Sequence, residues 1–430
     1  MRVWCKVLRY SLLALAFFVF GCNRTPIESS SSQNASSSPA ANEALIIQPS
    51  QSPTDGDSRE PELNSTQDGR IILSWVEKID AKRYALRTSM RDANGWSEAR
   101  TVAQGEDWFV NWADFPSVIA LQDGSLAAHW LVKSGTSTYA YNVHIARSKD
   151  GGQTWTKPLV PHLDNTQTEH GFVSLIPLAD TRLGVVWLDG RNMKNMKEEE
   201  GEHTPSSETM TLRYAAIDAD GKLADEAQLD ERVCECCQTS AALTSDGVMA
   251  VYRDRSETEV RDIYSVRQNH GTWGTPQPVH MDNWKINGCP VNGPSIATDG
   301  QRVAVAWFTE VAQAPRVKIA FSSDAGATFA APIEVDEGNA VGRVDTLLLP
   351  DGSALVCWMA GTMESGSIKV RRIQPDGLLG PSSVITQTDI SRSSGFPRMA
   401  RLGDVVHFAW TEFGKPSRVW MATTNISRYR

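Results

Sequence analysis

Three of the chain's seven cysteines fall within four positions, in "VCECC" at 233–237. A thiol is a nucleophile, a disulfide partner or a soft-metal ligand, depending on its compartment and neighbours. Cys289, in "GCP", comes next in the chain and joins Cys234, Cys236 and Cys237 as a candidate cluster. In an oxidising compartment, four neighbouring cysteines form two disulfides, with three connectivities open, and would staple two loops together. The other reading is a metal site. Here the cluster, with His170 or His280, supplies thiolate and imidazole ligands to copper(I) or zinc, although the spacing departs from C-x-x-C. No other cofactor is required. Cys357 lies inside an apolar run and reads as a core thiol.

Just downstream is the densest charged stretch: Tyr252, Arg253, Asp254 and Arg255, then Glu259, Arg261, Asp262 and Tyr264. Arginine forks suit carboxylates, so Arg191, Arg253, Arg255 and Arg261, with the later Arg343 and Arg398, are candidates for reading an acidic ligand. Asp189 of "LDGR", Tyr252, Asp254, Glu259 and Tyr264 are the candidate catalytic groups if the site is an enzyme's. Glu310 adds a carboxylate, and Trp284, with Trp108 and Trp112, offers stacking platforms for a sugar ring. The bland alternative is a network of surface ion pairs with tryptophans packing the loops.

The elements that must position these residues repeat. A polar turn, often Asp-Gly, leads into an alternating apolar strand that ends in an aromatic: "QDGRIILSWVE", "QDGSLAAHWLV", "ADTRLGVVWLD", "SDGVMAVYRDR", "DGQRVAVAWFTE", "PDGSALVCWMA" and "LGDVVHFAWTE". The aromatics are Trp75, Trp130, Trp187, Tyr252, Trp307, Trp358 and Trp410, spaced 51 to 65 residues apart. Each copy has flanking strands, and four short strands at this period indicate an all-β propeller. Seven blades are expected, with six plus an accessory hairpin as the alternative. The last copy lacks its outer strand, and "ALIIQ" at 44–48 is expected to supply it and close the ring. The repeated aromatics should pack between blades. Loops leaving second and fourth strands share one face. "VCECC" enters blade four and "GCP" blade five, so both lie on that face.

Two turns carry a family signature. "SKDGGQTW" (Ser148, Asp150, Gly152, Thr154, Trp155) and "SSDAGATF" (Ser322, Asp324, Gly326, Thr328, Phe329) fit S-x-D-x-G-x-T-[W/F]. They resemble the Asp box of the sialidase, or BNR-repeat, superfamily, from about residue 44 onward. The resemblance implies a propeller with its chemistry on the face opposite the Asp boxes. It also implies, for a sialidase, three arginines on the substrate carboxylate, a Tyr activated by Glu, and an Asp acid/base. Arg261, Arg343 and Arg398 with Tyr252 or Tyr264 and Glu259 are the available counterparts. Two departures stand out: "REPELNS" at 59–65 lacks the aromatic-Arg-apolar-Pro order of the family's first arginine, and the blade count exceeds the usual six.

The N-terminus is a targeting segment. Arg2, Lys6 and Arg9 precede an apolar run too short to span a bilayer. "VFGC" resembles a bacterial lipobox, which implies lipidation at Cys22, and Asn23 in place of the retaining Asp points to the outer membrane. The expected organisation is signal peptide 1–21, lipidated Cys22 and serine-rich tether 22–43, and propeller 44–430. With 51 acidic against 42 basic side chains and no basic block, nucleic acid is excluded as a partner. The expected function is a cell-envelope lipoprotein presenting a ligand-binding face, an acidic glycan favoured. The alternatives are an exo-sialidase or other glycoside hydrolase, a copper or zinc binding protein, and an envelope assembly scaffold.

Overall fold

A computed structural model describes residues 43–193, 209–362 and 365–427. The signal segment, Cys22 and the tether up to residue 42 lie outside the described residues. Seven sheets follow one another in the chain, each with its first strand inside and its later strands outward. Blade one is Asp57–Ser65, Ile71–Lys78, Tyr84–Asp92 and Arg100–Gly105, and blade two is Ser117–Ala120, Leu126–Lys133 and Tyr141–Ser148. In blade two the outer position is held by a lone bridge from Leu159 to Ile145. Blade three is His170–Pro177, Leu183–Asp189, Met210–Ile217 and Leu223–Val233, and blade four is Ser240–Leu243, Val248–Arg253, Ile263–Asn269 and Gln277–His280. Blade five is Ser295–Thr298, Val303–Val311, Ala314–Ser322 and Ile333–Glu334, and blade six is Ala340–Leu348, Ala354–Gly361, Gly366–Ile373 and Ser383–Thr388. Blade seven is Arg398–Leu402, Val405–Glu412 and Arg418–Asn425, completed by Gln48–Ser50. The protein is a seven-bladed β-propeller. Among the described residues no helix is long and apolar enough to cross a membrane.

Ring closure differs in place from the expectation. Gln48, Pro49 and Ser50 pair with Thr423, Ala422 and Met421, so the closing strand begins where the expected 44–48 segment ends. Leu45 and Ile47 pack instead into the core shared by blades six and seven. Their side chains are worth more buried between sheets than on an edge ladder, and Pro49 is tolerated because an outermost strand has no further neighbour to donate to.

Each repeated aromatic faces the preceding blade. Trp75 packs on Ala400, Ala409 and Val419 of blade seven, Trp307 on Met249 and Val251 of blade four, and Trp358 on Ala304 and Ala306 of blade five. Burial of a large aromatic at every junction, six indoles and the Tyr252 phenol, makes the ring one continuous core.

Both Asp boxes form as local hydrogen-bond knots at the third-to-fourth-strand turns, away from the loops that carry the cysteines. Asp150 accepts from Ser148 Oγ (2.8 Å), Thr154 N (2.9 Å) and Thr154 Oγ1 (2.6 Å), and Ser148 Oγ accepts from Gly152 N (2.8 Å). Asp324 repeats the pattern with Ser322 and Thr328, and these donors hold its carboxyl down at about 2. Gly152 and Gly326 have φ of 86° and 80°, the left-handed bend that glycine takes at least cost. Trp155 and Phe329 pack against adjacent core clusters.

Candidate functional site

The cysteine loop leaves the outer strand of blade three at Val233 and is pinned to blade four by the Cys234 N–H donating to Arg253 O (3.0 Å). Cys234 Sγ lies 3.4 Å from Cys237 Sγ and 3.8 Å from Cys236 Sγ. Cys236 also bonds to Cys289, which arrives on the loop between blades four and five. The four cysteines therefore meet in one place, and among the described residues no disulfide joins them. Cys357 is buried in its strand of blade six.

The cluster has one acidic member. Burial opposes ionisation of Cys237, but hydrogen bonds from Cys234 and Cys236, the Arg253 charge and the Asn292 N–H (3.4 Å) together hold its thiol well below the ordinary value. Burial pushes Cys234 up to about 11 and Cys236 well above its usual range. Cys237 Sγ thus accepts from its neighbouring thiols, in a pocket where Arg261 Nη1 also donates to Cys234 Sγ (3.2 Å).

Around the thiols the arginines are committed internally. Arg261 binds Glu235 and Glu259, each at 2.9 Å, and Arg255 binds the same two carboxylates. The result is a closed ring of two guanidiniums and two carboxylates, within which Arg261 is fully buried. Arg253 donates to Asn292 O, Arg261 O and Phe308 O, and its guanidinium lies 4.9 Å over the Trp284 ring. Arg343 donates to Ser391 O, Gly395 O and Ile390 O and stacks on Trp112 at 4.6 Å. Arg398 is paired with Glu62 at 2.6 Å, with Asp345 3.9 Å away. Arg191 forks onto Asp189 (2.7 and 2.8 Å).

Arg261, Arg343 and Arg398 thus each hold internal acceptors, and of the three Arg398 lines the axial channel. Trp284 and Trp108 are buried loop anchors, Trp284 beneath Arg253 and Trp108 against Trp130. Tyr252 is a core phenol that donates to Asp230, and burial raises its pKa well above the ordinary value. Asp254 is pushed up to about 7, by burial first and then by the Asp230 charge. Tyr264 is half-buried beside it. Glu259 belongs to the arginine ring, and Glu310 sits near the hairpin end of blade five, opposite Pro315. Asp189 is buried and accepts from Trp187 Nε1 (2.8 Å).

Neither candidate histidine is grouped with the thiols. His280 is half-exposed, with Nε2 3.7 Å from Asp282. His170 stacks on His162 and shares Asp164 with it. His162 and Asp164 were legible in "PHLDNTQTEH", where a His-x-Asp precedes the second histidine by six residues. Sequence reasoning also missed a buried acid cluster. Tyr141 Oη lies 2.8 Å from both Asp114 Oδ2 and Glu169 Oε1, at the start of blades two and three. Burial pushes Asp114 up to about 7 and Glu169 up to about 8.

The propeller surrounds an axial channel of about 740 Å³, lined by residues in or just before the first strands of all seven blades, among them Glu62, Asp114, Ser174, Thr239, Asp345 and Arg398. Residues 80–294, half of the chain, match the family described as BNR repeat-like domain, and the chain belongs to that family. Among solved structures it is similar to polysaccharide lyase Uly1, at 9% identity over 86% of this chain and 90% of that one, with a TM-score of 0.52. It also aligns with a protein of unknown function from Dyadobacter fermentans (15% identity, 89% and 97% covered, TM-score 0.48) and with the NanB sialidase of Streptococcus pneumoniae (14%, 93% and 73%, 0.43). No curated protein matches the chain.

Proposed function

We propose that this chain is a cell-envelope lipoprotein whose propeller carries a soft-metal thiolate centre on the face built by blades three to five, copper(I) or zinc being the ion. The observation that carries the reading is the gathering of four thiols from two loops. Sγ separations of 3.4 and 3.8 Å suit the edge of about 3.8 Å that thiolates about 2.3 Å from a tetrahedral ion define. A disulfide needs about 2.05 Å. Cys237 is already inclined to be a thiolate, and Arg253, whose acceptors are neutral carbonyls, supplies charge to balance further deprotonation.

The test is a metal and thiol count on the mature protein, purified without oxygen. One equivalent of zinc or copper(I) should bind and protect several thiols together, and a chelator should free them together. Two disulfides, with no metal uptake after reduction, would overturn the reading. The anchor is tested by Cys22→Ser, which should release the protein from membranes; retention at the wild-type level would defeat it.

A second reading, binding or cleavage of an acidic glycan, is supported by BNR family membership and by the polar axial channel. It runs through Glu62, Asp345 and Arg398 rather than through the arginine ring. Turnover or saturable binding of sialylated or uronate-bearing oligosaccharides, lost in Arg398→Met, would establish it.

A further inference from the structure

The loop joining blade two to blade three holds a set of ligand atoms that involves no cysteine. We propose that His162, Asp164 and His170, backed by Asp189, bind a divalent transition ion of the zinc type. His170 opens the first strand of blade three directly opposite Asp189 at the end of the second strand. Its Nδ1 lies 3.2 Å from Tyr141 O and 3.1 Å from Thr168 O. Carbonyls only accept, so Nδ1 carries a hydrogen and Nε2 is turned toward carboxylates: Asp164 Oδ2 at 3.2 Å and Asp189 Oδ1 at 3.8 Å. Fixing one imidazole nitrogen on a carbonyl while the other faces the ligand position is how proteins orient metal-binding histidines.

His162 completes the set. Its ring lies flat on His170, centroids 3.7 Å apart and planes within 2°, and its Nδ1 is 3.2 Å from Asp164 Oδ1. Donor separations of 3.2 Å are close to the edge of about 3.3 Å for nitrogen and oxygen ligands about 2.0 Å from a tetrahedral ion. Two imidazoles in face contact cannot both carry charge at low cost. The nitrogen of His162 turned toward Asp164 is Nδ1, and Nε2 is buried without a partner on the other side of the ring. Among the described residues, Asp164, Asp189 and Glu226 face Arg191 and Arg213, three carboxylates against two guanidiniums beside the histidines. Asp189 is held in place by Trp187 Nε1 and Arg191. Two imidazoles select a borderline transition ion over calcium or magnesium. The same distances would also hold a charged His170 between two aspartates, so the experiment must separate a bound ion from that ion pair.

Zinc(II) binding is measured on the mature protein and on His162→Gln and Asp164→Asn, reading the difference in stoichiometry between wild type and variants. That difference does not depend on whether the cysteines are oxidised. Wild type should take about one equivalent more than either variant. Cobalt(II) at this site should show ligand-field bands without the sulfur charge-transfer absorption that a cysteine site produces. Imidazole 15N shifts of wild type cover the case in which a variant misfolds: zinc should move the His162 and His170 signals together. Equal stoichiometry in folded variants, or imidazole signals unmoved by zinc, would overturn the proposal in favour of the ion pair.

Discussion

A single hydroxyl between two carboxylates makes a strong demand. Tyr141 has one proton to donate, yet its oxygen is 2.8 Å from both Asp114 and Glu169. One carboxyl must therefore be protonated and donate in return. The surroundings agree. Asp114 and Tyr141 are almost wholly buried, Asp114 Oδ1 accepts the Phe172 N–H (2.7 Å), and two further acids, Glu60 and Glu235, face the pair. Burial raises Asp114 from 3.8 to about 7. The folded state then keeps a proton that the unfolded chain has lost, so stability falls as pH rises from the unfolded pKa through the folded one. For one such group the fall between about pH 5 and about pH 8 is about 3 kcal/mol.

Asp114→Asn keeps the acceptor for Phe172 N–H and places an amide donor toward Tyr141, so it mimics the protonated acid at every pH. Urea unfolding across that range should show the wild type losing about one proton's worth of slope relative to the variant. The variant should match wild type near the acidic end and exceed it near the alkaline end. Parallel profiles, or a wild-type stability that rises with pH relative to the variant, would show that the shared proton is absent.

Deleting residues 44–50 should expose the outer edge of Arg418–Asn425 and remove Leu45 and Ile47 from the core, lowering Tm markedly or causing aggregation; unchanged melting would mean that the ring closes without it. A methyl group at Gly171 would sit 2.0 Å from Asp114 Oδ2 and 2.8 Å from the Tyr141 ring, so Gly171→Ala should cost several kcal/mol, on the order of 3, by denaturant unfolding. Arg253→Met should cost on the order of 3–5 kcal/mol by the same measurement, because Asn292 O, Arg261 O and Phe308 O lose a buried cation; a loss below about 1 kcal/mol would show that water replaces it.

Much of the fold was readable along the chain because its determinants are local. Alternation of apolar residues, the turn before each strand and the aromatic after it recur within a dozen residues, and the Asp boxes are knots of five to eight residues whose donors and acceptors are sequence neighbours. That Cys289 shares a face with Cys234, Cys236 and Cys237 also followed from connectivity alone, since loops leaving fourth strands must lie together. What residue types could not decide was which charged groups remain open to a ligand. Arg253 finds its acceptors at Asn292 and Phe308, and Arg398 pairs with Glu62 across 336 positions of sequence. A guanidinium is read as a ligand-binding fork or as a structural staple according to those distant partners. In the same way, His170 lies not with the thiols but against His162, Asp164 and Asp189, because the start of a blade's first strand meets the end of its second only once the sheet has formed.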